Sequence, residues 1–286
     1  MGKNVNDPVR KLGDMYRKGG LNILALQDVG GGHDTLVQVL DYINNKSHED
    51  VVQAYHYQGN SCAIITDLEV VGVKDVTEKD GLFYSLGLQL ATEYQKRLIN
   101  FYCVHLDNQH YGPYKALFDG ASTADILGNE EFRKQRMDLF LYSDSIQNDL
   151  LRLGDEGLII AGNFYSPSHL DWTEATKSKH KDYVIPWPAT KLLQEKTLMK
   201  DAFRELNPDP MAAPGETWST VYKYNDDYSK DEPQERLDFV FYRGFSLKVH
   251  EMAPYSGETP LKPYPNVKDN EWISHSAALA GSFIVS

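Results

Sequence analysis

The stretch AGNFYSPSHLDW, residues 161–172, follows the apolar run GLII, so a buried strand is expected to open here into a functional loop. Asn163 and Tyr165 are the polar side chains nearest the strand end, and an amide has no useful basicity near neutral pH. In FYCVHLDNQHYGPY, Cys103 and His105 stand two apart on an expected strand and so share a face. Sulfur and nitrogen donors suit zinc or copper rather than magnesium; an inert packed thiol is the bland reading. Asp28, at the end of ILALQD, either ligates a cation or caps the turn GGGH, which lacks the pattern of a phosphate loop. In RLDFVFY, Leu237, Phe239 and Phe241 alternate with Asp238, Val240 and Tyr242, so Asp238 is the polar exception on a strand apolar on both faces. With Arg236 nearby, it also reads as half of an ion pair. Tyr111, Tyr114, His169 and Trp172 either line a ligand groove or pack the long loops, and Cys62 reads as a buried thiol.

The elements that must hold these residues follow from apolar periodicity. Residues 8–18 place Val9, Leu12, Met15 and Tyr16 on one helical face, with Asp7 as N-cap and Pro8 at the first helical position. NILALQDV reads as a strand and DTLVQVLDYINN as a second amphipathic helix. VVQAYHY, SCAIIT, LEVVGV, LFYSLGLQLA and INFYCVHL read as strands, rich in β-branched and aromatic residues. NEEFRKQRMDLFLYSDSIQNDLLRLG reads as one long helix ending at a glycine. GLIIAGN, a helix near ATKLLQEKTL, and the strands RLDFVFYRG, FSLKVHEM and SAALAGSFIV complete the chain. Two packed sheets with helices outside are expected, in one domain over residues 1–286, with the loops GNFYSPSHLDW and EWISHS together at one end.

The totals bound the function. Of 286 residues, 41% are hydrophobic and 12% aromatic, enough for a sizeable core. The net charge of −12 opposes attraction to nucleic acid or anionic membrane, and the acidic run NDDYSKDEPQE reads as a solvated loop rather than a cation site. Two cysteines cannot make a disulfide scaffold. No apolar run reaches the ~18 residues of a membrane span, and MGKNVNDPVRKLG has no apolar signal region. A secreted mature form stays compatible with that, so the compartment is left open; the sequon at Asn45 would matter only in a secreted protein.

Taken in order, ILALQD, FYCVHLDNQHYGPY, AGNFYSPSHLDWTEATK and RLDFVFYRG, with the terminal WISHSAALAGSF, resemble the endonuclease/exonuclease/phosphatase superfamily, the DNase I-like metal-dependent phosphoesterases. The usual forms there are L-Q-E, N-x-H-L-D, G-D-F-N, R-[IL]-D-[YF] and S-D-H. The resemblance spans nearly the whole chain and implies a four-layer α/β sandwich, two mostly antiparallel sheets flanked by helices. It also implies a glutamate on a divalent cation, usually Mg²⁺, an aspartate activating water, an asparagine on the phosphate, and a histidine at the phosphorane oriented by a further aspartate.

Placed on this sequence, the L-Q-E glutamate becomes Asp28 and the N-x-H asparagine becomes Cys103, while His105 and Asp107 remain. The G-D-F-N aspartate is Asn163 and its asparagine is Tyr165; Asp238 is intact. Without a gap, the S-D-H histidine is Ser276 and its aspartate His275; with one deletion, His275 becomes the histidine. Asn4 is the match to the superfamily's N-terminal asparagine. The implied outcome is a catalytically degenerate chain acting as a binding, regulatory or structural protein, with a weakly active or altered phosphodiesterase or nuclease as alternative. The Mg²⁺ site, reduced to Asp28, is expected to be lost, and Cys103, His105 and His275 are read as a soft-metal site for zinc or copper, against a packed thiol and a solvent-exposed loop histidine. The expected partner is a protein or small-molecule ligand of unknown identity; nucleic acid is disfavoured by charge.

Overall fold

The computed structural model describes residues 5–29, 33–46, 51–57, 59–74, 76 and 83–286, with Lys46 described by its backbone alone. Asn4, Gly30–Gly32 of the glycine turn and Ser47 of the sequon lie outside the described residues. Helix α1 (Pro8–Lys18) precedes β1 (Ile23–Leu26), α2 (His33–Lys46), β2 (Gln53–His56) and β3 (Ala63–Thr66). These strands form an antiparallel sheet in the order β1-β3-β2. β4 (Glu69–Lys74), β5 (Tyr84–Ala91) and β6 (Leu98–His105) lead into α3 (Gly112–Leu117), α4 (Thr123–Leu141), α5 (Asp144–Leu151) and β7 (Gly157–Asn163). After α6 (Pro188–Thr197), β8 (Lys200–Asp201) and α7 (Ala202–Leu206), β9 (Tyr224–Asn225) and β10 (Lys230–Asp231) make a short hairpin. β11 (Asp238–Arg243) completes a six-stranded sheet, β4-β5-β6-β7-β11-β8, in which only the β6–β7 pair is parallel. A last hairpin joins β12 (Leu247–Tyr255) to β13 (Ala278–Val285).

Side-chain alternation sorts these elements into four layers. On β6, Ile99, Phe101 and Cys103 face the other sheet, while Tyr102 and Val104 face helices. On β11, Val240 and Tyr242 point between the sheets, whereas Phe239 and Phe241 meet α4, α5 and α6. Leu12 and Tyr16 of α1 pack with Leu36, Val39 and Ile43 of α2 on the outer face of β3. Each such side chain contributes roughly 1.5–3 kcal/mol on burial, so both faces of both sheets are committed. Gly162 lets β7 approach β6: a Cβ there would sit 1.9 Å from the Val104 carbonyl oxygen. Among the described residues no helix is long and apolar enough to cross a membrane.

Two local expectations change. The long helix is two, because Ser143 breaks the run and its hydroxyl accepts from the Ile146 N–H as N-cap of α5. Asp7 makes no side-chain cap; its carboxylate pairs with Arg10 at 2.8 Å.

Arg236 does not pair with Asp238. Its guanidinium, 2% exposed, donates to Asp171 at 2.9 and 3.1 Å and to Asp201 at 2.7 Å. Asp171 also accepts from Arg204 at 2.7 Å, and the other Asp201 oxygen caps α7 by accepting from the Phe203 and Arg204 N–H groups. Next to it, Glu235 turns the opposite way and accepts from Trp172 Nε1 at 2.9 Å, with His180 Nε2 3.9 Å from its other oxygen. Burial pushes Glu235 up to about 8, against the Trp172 hydrogen bond, and burial lowers His180 to about 4. Between those values both are neutral, so their contact is not an ion pair.

Removing the guanidinium in Arg236→Met leaves buried carboxylate behind and is expected to cost roughly 3–5 kcal/mol in urea unfolding; a loss under about 1 kcal/mol would contradict the network. Glu235 gives a pH signature. Its folded pKa lies above its unfolded one, so the folded state binds the proton more tightly and stability falls as pH rises from about 4.5 to about 8. Glu235→Gln should therefore melt higher than the parent at pH 8.5 and lose that advantage near pH 4.5; an equal difference at both values would refute the buried neutral carboxyl.

Candidate functional site

Strand register assembles the centre of the site. Asn163 ends β7, opposite His105 on parallel β6 and opposite Asp238 on antiparallel β11. All three line the cleft between the sheets, a cavity of about 1870 Å³ that Asp28, Tyr165, His275 and Ser276 also line. The Asn163 amide is engaged at both ends. Its Nδ2 donates to Asp238 Oδ1 at 3.0 Å, and its Oδ1 accepts from the Tyr165 N–H at 3.0 Å. That second bond holds Tyr165 in the left-handed region, φ 47°, and brings its ring to 5.4 Å from the His105 ring. On its far side, His105 Nδ1 lies 2.7 Å from the Ser61 hydroxyl.

Burial dominates the electrostatics. It raises Asp238 to about 6, opposed by hydrogen bonds to Thr217 and Asn163, and Asp238 Oδ2 is buried without a hydrogen-bond partner. Burial lowers His105 and His275, and the Asp28 carboxylate works against both shifts. Burial first, then Asp28 and Asp238, pushes the Tyr165 phenol up to about 12. Asp28 therefore sits electrically among His105, Tyr165 and His275, on an exposed turn residue with φ 55°.

The structure brings together Asp28, His105, Asn163, Tyr165, Asp238, His275 and Ser276 in the lining of one cavity. Asp238 has no imidazole partner: neither His275 nor Ser276 donates to it among the described residues. His275 packs edge-on against Tyr222, 4.9 Å between ring centres. Ser276 bridges Trp218, and its carbonyl accepts from Trp272 Nε1 at 2.8 Å. Cys103 lies deeper, fully buried; its thiol donates to the Leu26 carbonyl at 3.4 Å and meets Gln27 Nε2 at 3.1 Å. It does not join His105 and His275: among the described residues no three His, Cys, Asp or Glu side chains converge to hold a metal ion. For magnesium, Asp28 offers an exposed carboxylate, while Asp238 is half-buried with one oxygen held by the Asn163 amide.

The four groove candidates line a different part of the molecule. Trp172, 1% exposed, stacks on His180 at 4.0 Å and meets Trp187 edge-on. His169 is fixed to Thr190, whose hydroxyl lies 3.0 Å from Nδ1. Tyr111 packs edge-on against Tyr114, whose hydroxyl donates to Glu232 at 2.7 Å. All four make packing contacts among the long loops, and none lines the cleft. Sequence reasoning missed Ser61, Thr217 and Trp218. Ser61 precedes an apolar strand start with nothing to mark it, and Thr217 and Trp218 lie in an irregular segment. Gln27 was legible only as a neighbour of Asp28.

No family model matches the chain. "Uncharacterized protein F14F9.5" of Caenorhabditis elegans is 39% identical over 188 residues, 64% of this chain and 59% of that protein's length. Among solved structures, truncated Caenorhabditis elegans TDP2 superposes with a TM-score of 0.61 at 12% identity, covering 100% of this chain and 93% of that one. An endonuclease/exonuclease/phosphatase family protein from Bacteroides thetaiotaomicron gives 0.60 at 12% identity over 100% and 95%. The human Nocturnin catalytic domain, with bound sulfate, gives 0.56 at 16% identity over 98% and 88%. These likenesses agree with the order of motifs and with the four layers described above: this chain has the DNase I-like fold of the endonuclease/exonuclease/phosphatase superfamily.

Proposed function

We propose that this chain is a catalytically degenerate member of the metal-dependent phosphoesterase superfamily, working as a binding, regulatory or structural protein whose partner is another protein or a small molecule. The observation that carries the reading is the Asn163 amide, hydrogen-bonded at both ends where a water-activating carboxylate would be needed. Tyr165 adds a half-buried phenol, far from ionising at neutral pH, on the approach to His105. Loss of one acid–base group commonly costs on the order of 10²- to 10⁴-fold, and here the base and the histidine partner of Asp238 are both missing. The changes fall on chemistry-bearing positions while SPSHLDW and RLD keep their structural contacts, the pattern of a fold retained without its reaction. A net charge of −12 keeps nucleic acid an unfavoured partner.

One feature favours the alternative of weak phosphodiesterase activity. Asp238, raised to about 6 with one oxygen unpartnered, is the residue here with a base's pKa. Hydrolysis of plasmid DNA and bis(p-nitrophenyl) phosphate with Mg²⁺ or Mn²⁺ separates the two readings. The unmodified protein should stay at background, below a version carrying Asp28→Glu, Asn163→Asp, Tyr165→Asn, His275→Asp and Ser276→His. Activity that rises through about pH 6 and vanishes in Asp238→Asn would establish the alternative instead.

The ion is tested separately. With a single exposed carboxylate, millimolar Mg²⁺ should leave the thermal midpoint unchanged, because a ligand stabilises only the state that binds it. A rise in midpoint that disappears in Asp28→Ala would show a surviving metal site.

A further inference from the structure

A second, smaller cavity of about 230 Å³ lies against the Arg236 network and shares no lining residue with the cleft. Its apolar lining comes from Leu117, at the end of α3, and from Pro210, Pro214 and Pro233. Most of its polar lining is already spent. Arg204 and Arg236 both donate to Asp171, and the remaining Arg204 donors reach the Asn207, Ala213 and Pro214 carbonyls. The Thr176 hydroxyl donates to the Asp171 carbonyl at 2.6 Å, and the Gln234 amide donates to the Tyr222 and Glu232 carbonyls.

Two buried groups on the same lining are not spent. Glu235, 5% exposed, uses Oε2 to accept from the Trp172 indole. Its Oε1 has no hydrogen-bond partner among the described residues and lies 3.9 Å from His180 Nε2. His180, 8% exposed, makes no hydrogen bond through that nitrogen, and its Nδ1 is enclosed without a partner. A separation of 3.9 Å is too long for a direct hydrogen bond. It suits one oxygen atom placed between the two, at the ordinary length of roughly 2.7–3.0 Å from each. With Oε2 accepting, the Glu235 acid proton belongs on Oε1, and a neutral imidazole offers a lone pair. A hydroxyl accepts from the first and donates to the second, which neither an ether nor a carbonyl does. A charged group would be desolvated against two neutral side chains.

We propose that this cavity is a binding site for a small uncharged molecule with one hydroxyl on an apolar body about the size of a benzene ring, a phenol, held by that hydroxyl between Glu235 and His180. One water could bridge the same two groups, but the cavity is several times the ~30 Å³ that a water takes in the liquid. A cavity of about 150 Å³ is enough to hold benzene, so a ring fits beside the leucine and the prolines. With the ions beneath it already matched, the remaining space calls for no further polar group.

Phenol itself is the probe, and the indole N–H of Trp172, bonded to Glu235, is the reporter. In ¹H–¹⁵N spectra of the full chain near pH 6, where Glu235 and His180 are both neutral, phenol should shift that signal saturably in the millimolar range. The indole signals of Trp218 and Trp272, which line the cleft, should stay in place. Anisole has the same shape with a methyl group in place of the hydroxyl hydrogen, and should bind at least about tenfold more weakly for want of one buried hydrogen bond. Leu117→Trp, which fills the apolar side of the cavity without touching the ion network, should abolish the shift in a chain that still folds. No saturable shift at Trp172, or equal affinity for anisole, would overturn the proposal and leave the cavity to water. So would phenol binding retained in a folded Leu117→Trp. The anisole comparison uses the unmodified protein, so it decides the matter even where the variant fails to fold. None of these readouts depends on hydrolysis, so the proposal stands or falls apart from the functional reading above.

Discussion

Arg236 sits where no water can reach it, and its charge has to be answered by Asp171 and Asp201, with Arg204 closing the set. These four residues come from three places: the loop after β7, the β8–α7 junction, and the segment entering β11. An unmatched charge in such surroundings costs several kcal/mol, so the three segments have one joint arrangement. That arrangement fixes where β11 begins and hence where Asp238 meets Asn163. The site's geometry is inherited from an ion network none of whose members lines the central carboxylate–amide contact.

The candidate site is accordingly well positioned, and many of its polar groups are bonded to one another. Hydrogen bonds that in a reactive centre would be offered to a substrate are satisfied internally: Asn163 by Asp238 and Tyr165, His105 by Ser61, Cys103 by Leu26 and Gln27. Satisfied groups are rigid, and rigidity suits recognition as readily as catalysis.

Much of this was legible in the residues. GLIIAGN and RLDFVFY announced buried strands through their apolar runs, and the structure places them side by side as β7 and β11. The two-residue spacing of Cys103 and His105 gave their shared face, but not their depth, since depth depends on what the opposite sheet supplies. Arg236 looked like a partner for Asp238 two residues away; its real partners lie 65 and 35 residues upstream, a distance that no local pattern encodes. The helix break at Ser143 lies inside continuous apolar periodicity, which reads as one helix.

The 3.0 Å contact between Asn163 and Asp238 has a consequence for reversibility. With a carboxylate at 163, two acids would face each other across a single hydrogen bond in surroundings that already hold Asp238 near 6. Like charges at that separation cannot both form, so the two groups would titrate as one pair holding a common proton. Part of the new carboxylate's basicity would go to its neighbour instead of to water. The amide removes that competition, and a single substitution at 163 would create a coupled acid pair before it created a base.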